Sequence, residues 1–487
     1  MNRLLILFGV LAFWWVPQAS FSQGNDQSAQ DSLSILGPQT YFDFVVQNHP
    51  VAQQAELLND QARSTLRMAR GGFDPKLEAS FDDKFFKSTN YFNVFSGGLK
   101  VPTWYGIEAK AGYDYVDGSF SNPMDFLPDN GLVTAGLSVS VLQGLVIDER
   151  RATLQQAKIL QSAANVDRVI ALNNLLLSAM GTYWQWARSY MELQVFERAV
   201  DISEVRFEAV KASFFAGDEP GIDTLEALIQ LQNRQLSRND ALLEFIKKGL
   251  EVSNFLWDED GRPLEITQQL RPVRLGRMPI VNLVTQDSVN MLINNLSRVH
   301  PELLSYRYEI ATLDVERRLK AEKLKPKLNV NYNVIAEATT SSTSSELLGI
   351  EQGVLPNNYK WGFEFSFPLF LRKERGNLQL TRIKLQQTNL KRDQKQLELT
   401  NKIQASYNEI LIVLQQIELY SQTVSNYQRL LRAEEIKFDL GESSLFLINS
   451  REQKLIEAQQ KLVSLQSKYF AAQAGLAWIS GLLFNDL

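Results

Sequence analysis

The sequence predicts an α+β membrane protein, internally duplicated, built from long antiparallel coiled-coil helices and a transmembrane β-barrel that more than one chain must complete. Three observations carry this. Two stretches repeat collinearly along the chain. Each copy holds a proline-free helical run of about seventy residues with a seven-residue apolar period, and between the helices the apolar period falls to two.

The chain begins with a basic Arg3, an apolar run from Leu4 to Val16, and the small residues Ala19, Ser20 and Ser22 ahead of Gln23. This is the pattern of a cleaved export signal over residues 1–22. Downstream there is no apolar run of the roughly 18 to 20 residues that a spanning helix needs, so the mature chain is expected to be periplasmic, secreted or a β-barrel. The 487 residues carry 50 basic and 55 acidic side chains, a formal charge of −5. With no cluster of Lys and Arg, a nucleic-acid partner is not expected. Cysteine is absent, which removes disulfides, thiolate zinc sites, a cysteine nucleophile and a lipid-bearing cysteine.

His49-Pro50 recurs 251 positions later as His300-Pro301, and the same offset superimposes Arg67 on Arg318 and Pro75-Lys76-Leu77 on Pro326-Lys327-Leu328. A second series repeats at an offset of 224: Arg151 on Arg375, Leu154-Gln155 on Leu378-Gln379, Tyr183 on Tyr407, Phe214 on Phe438 and Gly217 on Gly441. The offsets differ by 27, so the first copy carries about that many extra residues between Leu77 and Arg151. Residues 258–280, rich in Pro, Arg and Gly, read as the linker between repeat one (23–257) and repeat two (281–487).

The long helices are expected from about Asp148 to Phe215 and from about Lys373 to Leu440, on the order of 100 Å each at 1.5 Å per residue. Ala179, Trp186, Leu193, Val200 and Phe207 in copy one, and Ile403, Ile410, Ile417, Val424 and Leu431 in copy two, recur every seven residues and stay in phase with the repeat. Such a period specifies left-handed coiled-coil packing. Each run stops at a glycine, Gly217 or Gly441, as a left-handed cap requires. A second helix then returns antiparallel, from about Ile222 to Trp257 and from about Leu445 to Leu483. Shorter helices begin at Pro50 and Pro301, proline being favoured at the first helical position.

The strands lie at about 76–142 in repeat one and 326–371 in repeat two. Tyr105 to Tyr115, Val133 to Val141, Leu328 to Val334 and Trp361 to Leu369 each alternate apolar with small or polar side chains. They fit half-buried strands of roughly ten residues, and an apolar face turned to lipid has the same signature. One chain supplies about four to six, fewer than the eight of the smallest common barrels, and an open edge cannot face hydrocarbon. Several protomers must therefore share one barrel.

The doubled unit, the His-Pro helix starts, the Pro-Lys-Leu strand starts, and the strand exits Leu142-Gln143-Gly144 and Phe367-Pro368-Leu369-Phe370 together resemble the TolC family of outer-membrane efflux and type I secretion channels. The resemblance covers essentially the whole mature chain. It implies a homotrimer in outer-membrane lipid with a twelve-stranded barrel, four strands from each subunit, continued by a helical tunnel through the periplasm. It also implies a periplasmic adaptor (membrane-fusion) protein, an inner-membrane RND or ABC transporter that supplies the energy, and no cofactor. Two departures stand out. The extra residues around Tyr91 to Tyr115 allow an additional strand pair or a longer external loop, and Asn449 and Ser450 stand near where the family places an acidic residue.

By this analogy the turns of the helical hairpins are the candidate adaptor-docking and entrance sites: Gly217, Asp218, Asp223 and Glu226 in copy one, and Gly441, Glu442, Ser444, Asn449 and Ser450 in copy two. Asp223 and Glu226 would form a cation-attracting ring under threefold symmetry; the plainer alternative is helix N-terminal acids favoured by the macrodipole. His49 and His300, the only histidines, each precede a helix-starting proline and lack a third ligand, so catalysis and metal binding are not expected. Arg151 and Arg375 sit where strand becomes helix, on the lumen or on an interface. Tyr183, Trp184 and Trp186 read as packing, and no phosphate loop or nucleophile elbow is present. The leading function is a passive efflux duct. A type I protein-secretion duct, a soluble periplasmic coiled-coil scaffold and an all-helical hydrolase or sugar-binding protein remain as alternatives.

Overall fold

The structure is a computed structural model that describes residues 35–118, 127–217, 220–266, 270–280, 284–338 and 358–481. The expected export signal lies outside the described residues. The chain divides into two compact units that each draw on both repeats: residues 1–57, 166–304 and 394–487 form one, and residues 58–165 and 305–393 the other. Eight helices are described: α1 (Pro38–Asn48), α2 (Pro50–Gly71), α3 (Glu149–Ala216), α4 (Gly221–Ser253), α5 (Gln286–Val299), α6 (Pro301–Glu322), α7 (Arg372–Asp439) and α8 (Leu445–Ile479). None is long and apolar enough to cross a membrane.

The long helices α3 and α7 start and stop within one residue of the expected positions, because their ends are written locally. Gly217 and Gly441 adopt φ of +86° and +74°. At the second turn Gly441 N–H donates to Phe438 O (2.9 Å) and Glu442 N–H to Lys437 O (2.8 Å), a Schellman closure that satisfies the last carbonyls of α7. Helices α4 and α8 end about four residues before the expected points. The chain after α4 turns into a bridge between Trp257 and Pro263, and α8 stops just ahead of Gly481, at φ +74°. Helices α1 and α5, one ahead of each His-Pro pair, are additional to the expected set.

In the first unit the heptad residues form the core. Ala179, Trp186 and Ile403 are wholly buried, Leu193, Val200, Ile410, Ile417, Val424 and Leu431 are buried, and Phe207 is half-buried. Trp186 stacks on Phe245 of α4 (6.1 Å between centroids, 10° between planes) and Trp184 on Phe470 of α8 (4.7 Å). Burying each large side chain contributes roughly 1.5–3 kcal/mol. The Tyr183 hydroxyl donates to Leu36 O (2.7 Å) and accepts from Val273 N–H (3.3 Å). Burial drives its pKa far above the phenol range. These bonds hold a short parallel pair, β1 (Ile35–Leu36) with β6 (Arg271–Pro272). The linker is thus pinned to the helices: Leu275 is fully buried, and the Arg271 guanidinium lies over the rings of Phe245 (5.1 Å) and Tyr190 (5.8 Å).

The second unit holds one six-stranded antiparallel sheet: β2 (Lys76–Phe86), β3 (Thr89–Pro102), β4 (Ile107–Asp117), β5 (Leu132–Ser140), β7 (Lys327–Glu337) and β8 (Tyr359–Ser366), in the order β2-β3-β4-β5-β7-β8. The register carries one apolar row across every strand, Leu77, Leu99, Ala111, Ala135, Val334 and Tyr359. The adjacent row, Lys76, Lys100, Lys110, Gly136, Asn333 and Lys360, lies on the opposite face because side chains alternate with a period of two. The barrel is not closed within one chain. The edge strands β2 and β8 are exposed along almost their whole lengths.

The resemblance implied four strands per chain, and the sheet has six. Counterparts of β7 and β8 lie at β2 and β5, and between them the extra residues of repeat one fold as the additional hairpin β3–β4. This hairpin pairs on both sides, with Phe81 opposite Phe95 and Ala111 opposite Ala135, so it extends the sheet instead of hanging from it as a loop.

Candidate functional site at the helical hairpin turns

The two helical hairpins are α3 with α4 and α7 with α8, the second turning at residues 440–444. Pro220 and Ser444 are the N-caps of α4 and α8. Ser444 makes no side-chain cap bond, so the expected site residue acts through its backbone: Ser444 O accepts from Leu447 N–H (3.0 Å) and Ile448 N–H (3.3 Å). Asp218 lies outside the described residues. Asp223 is half-buried in the first turn of α4, where an acid complements the helix dipole. Glu442 and Ser450 are exposed.

Of the expected residues, the structure brings Glu226 and Asn449 together: Asn449 Nδ2 donates to Glu226 Oε1 (3.3 Å) across α4 and α8. They edge a groove of about 480 Å3 whose other walls are Ile222, Leu225, Ile229, Gln230, Phe446 and Ser450. Ile222 (71%) and Phe446 (67%) are largely exposed there, against the general tendency to bury large apolar side chains.

Beside this groove is a charged cluster that sequence reasoning missed. Glu452 of α8 is buried between two guanidiniums. Arg206 of α3 donates to it, and Arg234 Nε of α4 lies 3.6 Å from its Oε1. Arg234 also donates to Gln453 Oε1 (2.6 Å), while Arg206 reaches Asn449 Oδ1 (3.4 Å) and Glu435 of α7 (3.8 Å). Burial lowers the Arg234 pKa, Glu452 raises it and Arg206 lowers it. On α7, Glu434 accepts from the Ser443 hydroxyl (2.6 Å) and lies 3.6 Å from Arg451. The Ser443 bond, helped by Arg451 and Lys437, holds its carboxyl below the ordinary range against the opposing effect of desolvation. Ion pairs therefore join all four helices next to the turns. The signal was present: Glu452 lies seven residues after buried Leu445, and Arg234 seven after buried Ala227, so both are charges in an apolar heptad phase.

The two histidines have a structural task. His49 Nδ1 accepts from Val51 N–H (3.1 Å), and His300 Nδ1 accepts from Glu302 N–H (3.2 Å). Each caps the helix that starts at the following proline, satisfying a first-turn donor. His300 Nε2 is also 3.0 Å from Ile479 O, which makes Nε2 the protonated nitrogen of a neutral ring. Burial lowers the pKa of both. No group of His, Asp or Glu among the described residues could hold a metal ion. Arg151 donates to Leu145 O (3.0 Å) and Gly144 O and pairs with Asp148 (3.3 Å), so it clamps the exit of β5. Its counterpart Arg375 is exposed.

Residues 292–482 match the family model described as outer membrane efflux protein. The solved structure of the CmeC outer membrane channel of Campylobacter jejuni matches with a TM-score of 0.62 at 14% identity, covering 96% of this chain and 94% of that one. The chain shares the fold of that outer membrane channel. Two further solved structures share the fold. The open state of the MtrE outer membrane channel of Neisseria gonorrhoeae has a TM-score of 0.65 at 13% identity, over 96% of this chain and 98% of that one. VceC, an outer membrane protein of Vibrio cholerae, has 0.63 at 15%, over 91% and 96%. No curated protein matches the chain by sequence. At these identities the likeness is one of fold; the groove and the Arg206–Glu452–Arg234 cluster are read from this chain's own residues.

Proposed function

We infer that this chain is the outer-membrane duct of a tripartite export system, in which three copies share one barrel and pass small molecules outward without catalysing a reaction. The observation that carries the reading is the open six-stranded sheet with one apolar face in continuous register. An isolated sheet of this kind has two unpaired edges and an uncovered apolar surface, and lipid with neighbouring copies supplies partners for both. In this reading the helical part lies in the periplasm, and the groove of Ile222, Leu225, Ile229 and Phe446 receives a helical hairpin of a periplasmic adaptor linked to an RND or ABC transporter. Asp223 and Glu226 meet their symmetry mates at the entrance and attract cations.

The test is to extract the membranes of cells expressing the full chain, purify the oligomer in detergent and record single-channel currents in a planar bilayer. Discrete cation-preferring openings are expected, and Asp223→Asn with Glu226→Gln should weaken the preference. A soluble monomer that needs no detergent and does not conduct would overturn the duct and leave a periplasmic scaffold.

A further inference from the structure

We propose that three copies of this chain close an eighteen-stranded barrel, in which the hairpin β3–β4 is part of the wall and the outer-membrane lumen is about half again as wide as twelve strands would make it. The proposal rests on the trimeric duct inferred above and assigns the edge of β2 to a definite occupant, the edge of β8 in a second copy.

Three features of the sheet carry it. First, β3 and β4 are paired along their lengths on both sides, so no residue register joins β2 to β5 directly. Second, the hairpin keeps the faces of its neighbours: Leu99 and Ala111 stand in the apolar row, and Lys100 and Lys110 in the polar row beside it. A loop lying outside the wall would have no need of this parity, which a one-residue slip would invert. Third, inserting two strands leaves the direction of the edges unchanged. β2 and β8 remain antiparallel, as in any hairpin-connected wall, and both expose unpaired backbone groups that hydrocarbon cannot satisfy.

The internal repeat suggests how the edges meet. β8 pairs with β7 so that Phe363 faces Val330, and the counterpart of Val330 in β2, 251 positions earlier, is Ala79. If β8 offers its free edge the same register, Phe363 of one copy faces Ala79 of the next. In one circuit of a copy, Val330 and Phe363 share a row with Val139 and Ile107, and the apolar row from Leu77 to Tyr359 then arrives opposite Asp83 of the next copy. The stagger is six residues per copy and eighteen for three. A shear equal to the strand number gives a tilt of about 36°, inside the roughly 35–45° range of outer-membrane barrels. Diameter grows roughly in proportion to strand number, and the lumen cross-section therefore about doubles relative to twelve strands.

The experiment compares the full chain with a variant lacking Thr89–Asp117, which joins Ser88 to Gly118 and leaves β2 to pair with β5 as β7 pairs with β8. Polyethylene glycols of graded size are added on the barrel side of single channels, so that exclusion reports the barrel and not the helical entrance. The full chain should admit polymers of about 1.5-fold larger radius than the deletion; an equal cutoff overturns the proposal. A second measurement covers a deletion that fails to assemble. The chain has no cysteine, so full-length protein carrying Ala79→Cys and Phe363→Cys is oxidised in the membrane. A covalent ladder ending at three supports the closure. A ladder ending at two, a twelve-stranded dimer, or no ladder overturns it. If the full chain itself neither inserts nor conducts, the duct reading fails, and that result is separate from equal cutoffs in two conducting channels.

Discussion

Replacing Glu452 by Ala should loosen the helical hairpins next to their turns by a predictable amount. Its carboxylate is 4% exposed, and the Arg234 and Arg206 side chains are 5% and 14% exposed. Removing one member of a buried ion pair costs about 3–5 kcal/mol, because the remaining charge is left without compensation in low dielectric. Two contacts offset part of that loss: Arg234 keeps Gln453 at 2.6 Å, and Arg206 keeps Asn449 at 3.4 Å and Glu435 at 3.8 Å. The expected net loss is about 2–3 kcal/mol, which is roughly a 30- to 150-fold rise in local opening. Amide hydrogen exchange over residues 445–456 of the detergent-solubilised oligomer reads that opening directly. Replacing both Glu452 and Arg234 by Leu should recover most of the protection, since well-packed apolar residues often substitute for a buried pair without loss. Exchange that changes by less than about fivefold in Glu452→Ala, or a double variant no better protected than the single, would refute the reasoning.

Other outcomes follow from the same contacts. Trp186→Ala empties a wholly buried site against Phe245 and should cost about 3–5 kcal/mol in thermal or denaturant unfolding; a loss under about 1 kcal/mol would mean that the site collapses. Gly441→Val places a branched side chain at φ +74° and should destabilise the turn by about 1–2 kcal/mol, visible as faster proteolysis there, whereas Gly276→Ala at an open position serves as control. Phe363→Arg on the apolar face of β8 should reduce insertion by about 2–4 kcal/mol if that residue lies near the bilayer midplane, measured as the membrane-assembled fraction. His300 gives a pH dependence. Burial lowers its folded pKa below 6.5, so the unfolded chain takes up the proton first as pH falls. Its contribution is therefore complete above about pH 6.5 and is lost as pH drops through the lowered folded value; His300→Gln should flatten that part of a melting-temperature profile.

Much of the architecture is a local property of the chain. The helix stops at Gly217 and Gly441 need only a left-handed residue, and the ten heptad positions need only a fixed spacing, so both are legible without knowing what packs against them. The two apolar faces of β7 and β8 are equally plain. β3 is harder to read: Asn93 and Gly97 interrupt its apolar side while Phe92 and Val94 sit on the other. Its period is blurred, and the strand is secured by pairing with β2 and β4.

Tertiary structure decided what depends on residues far apart in sequence. Arg206, Arg234 and Glu452 become one cluster only when α3, α4 and α8 are brought side by side, and Asn449 meets Glu226 by the same packing. The His-Pro pairs were visible as helix starts, yet the link from His300 to Ile479 required the end of α8 to arrive there. The extra 27 residues of repeat one were countable in the sequence, but whether they formed a loop or two staves depended on strand pairing. Periodicity fixes which face of an element is apolar because it acts within one element; partners, registers and buried charge pairs are set by contacts between elements, whose energies no single stretch of sequence contains.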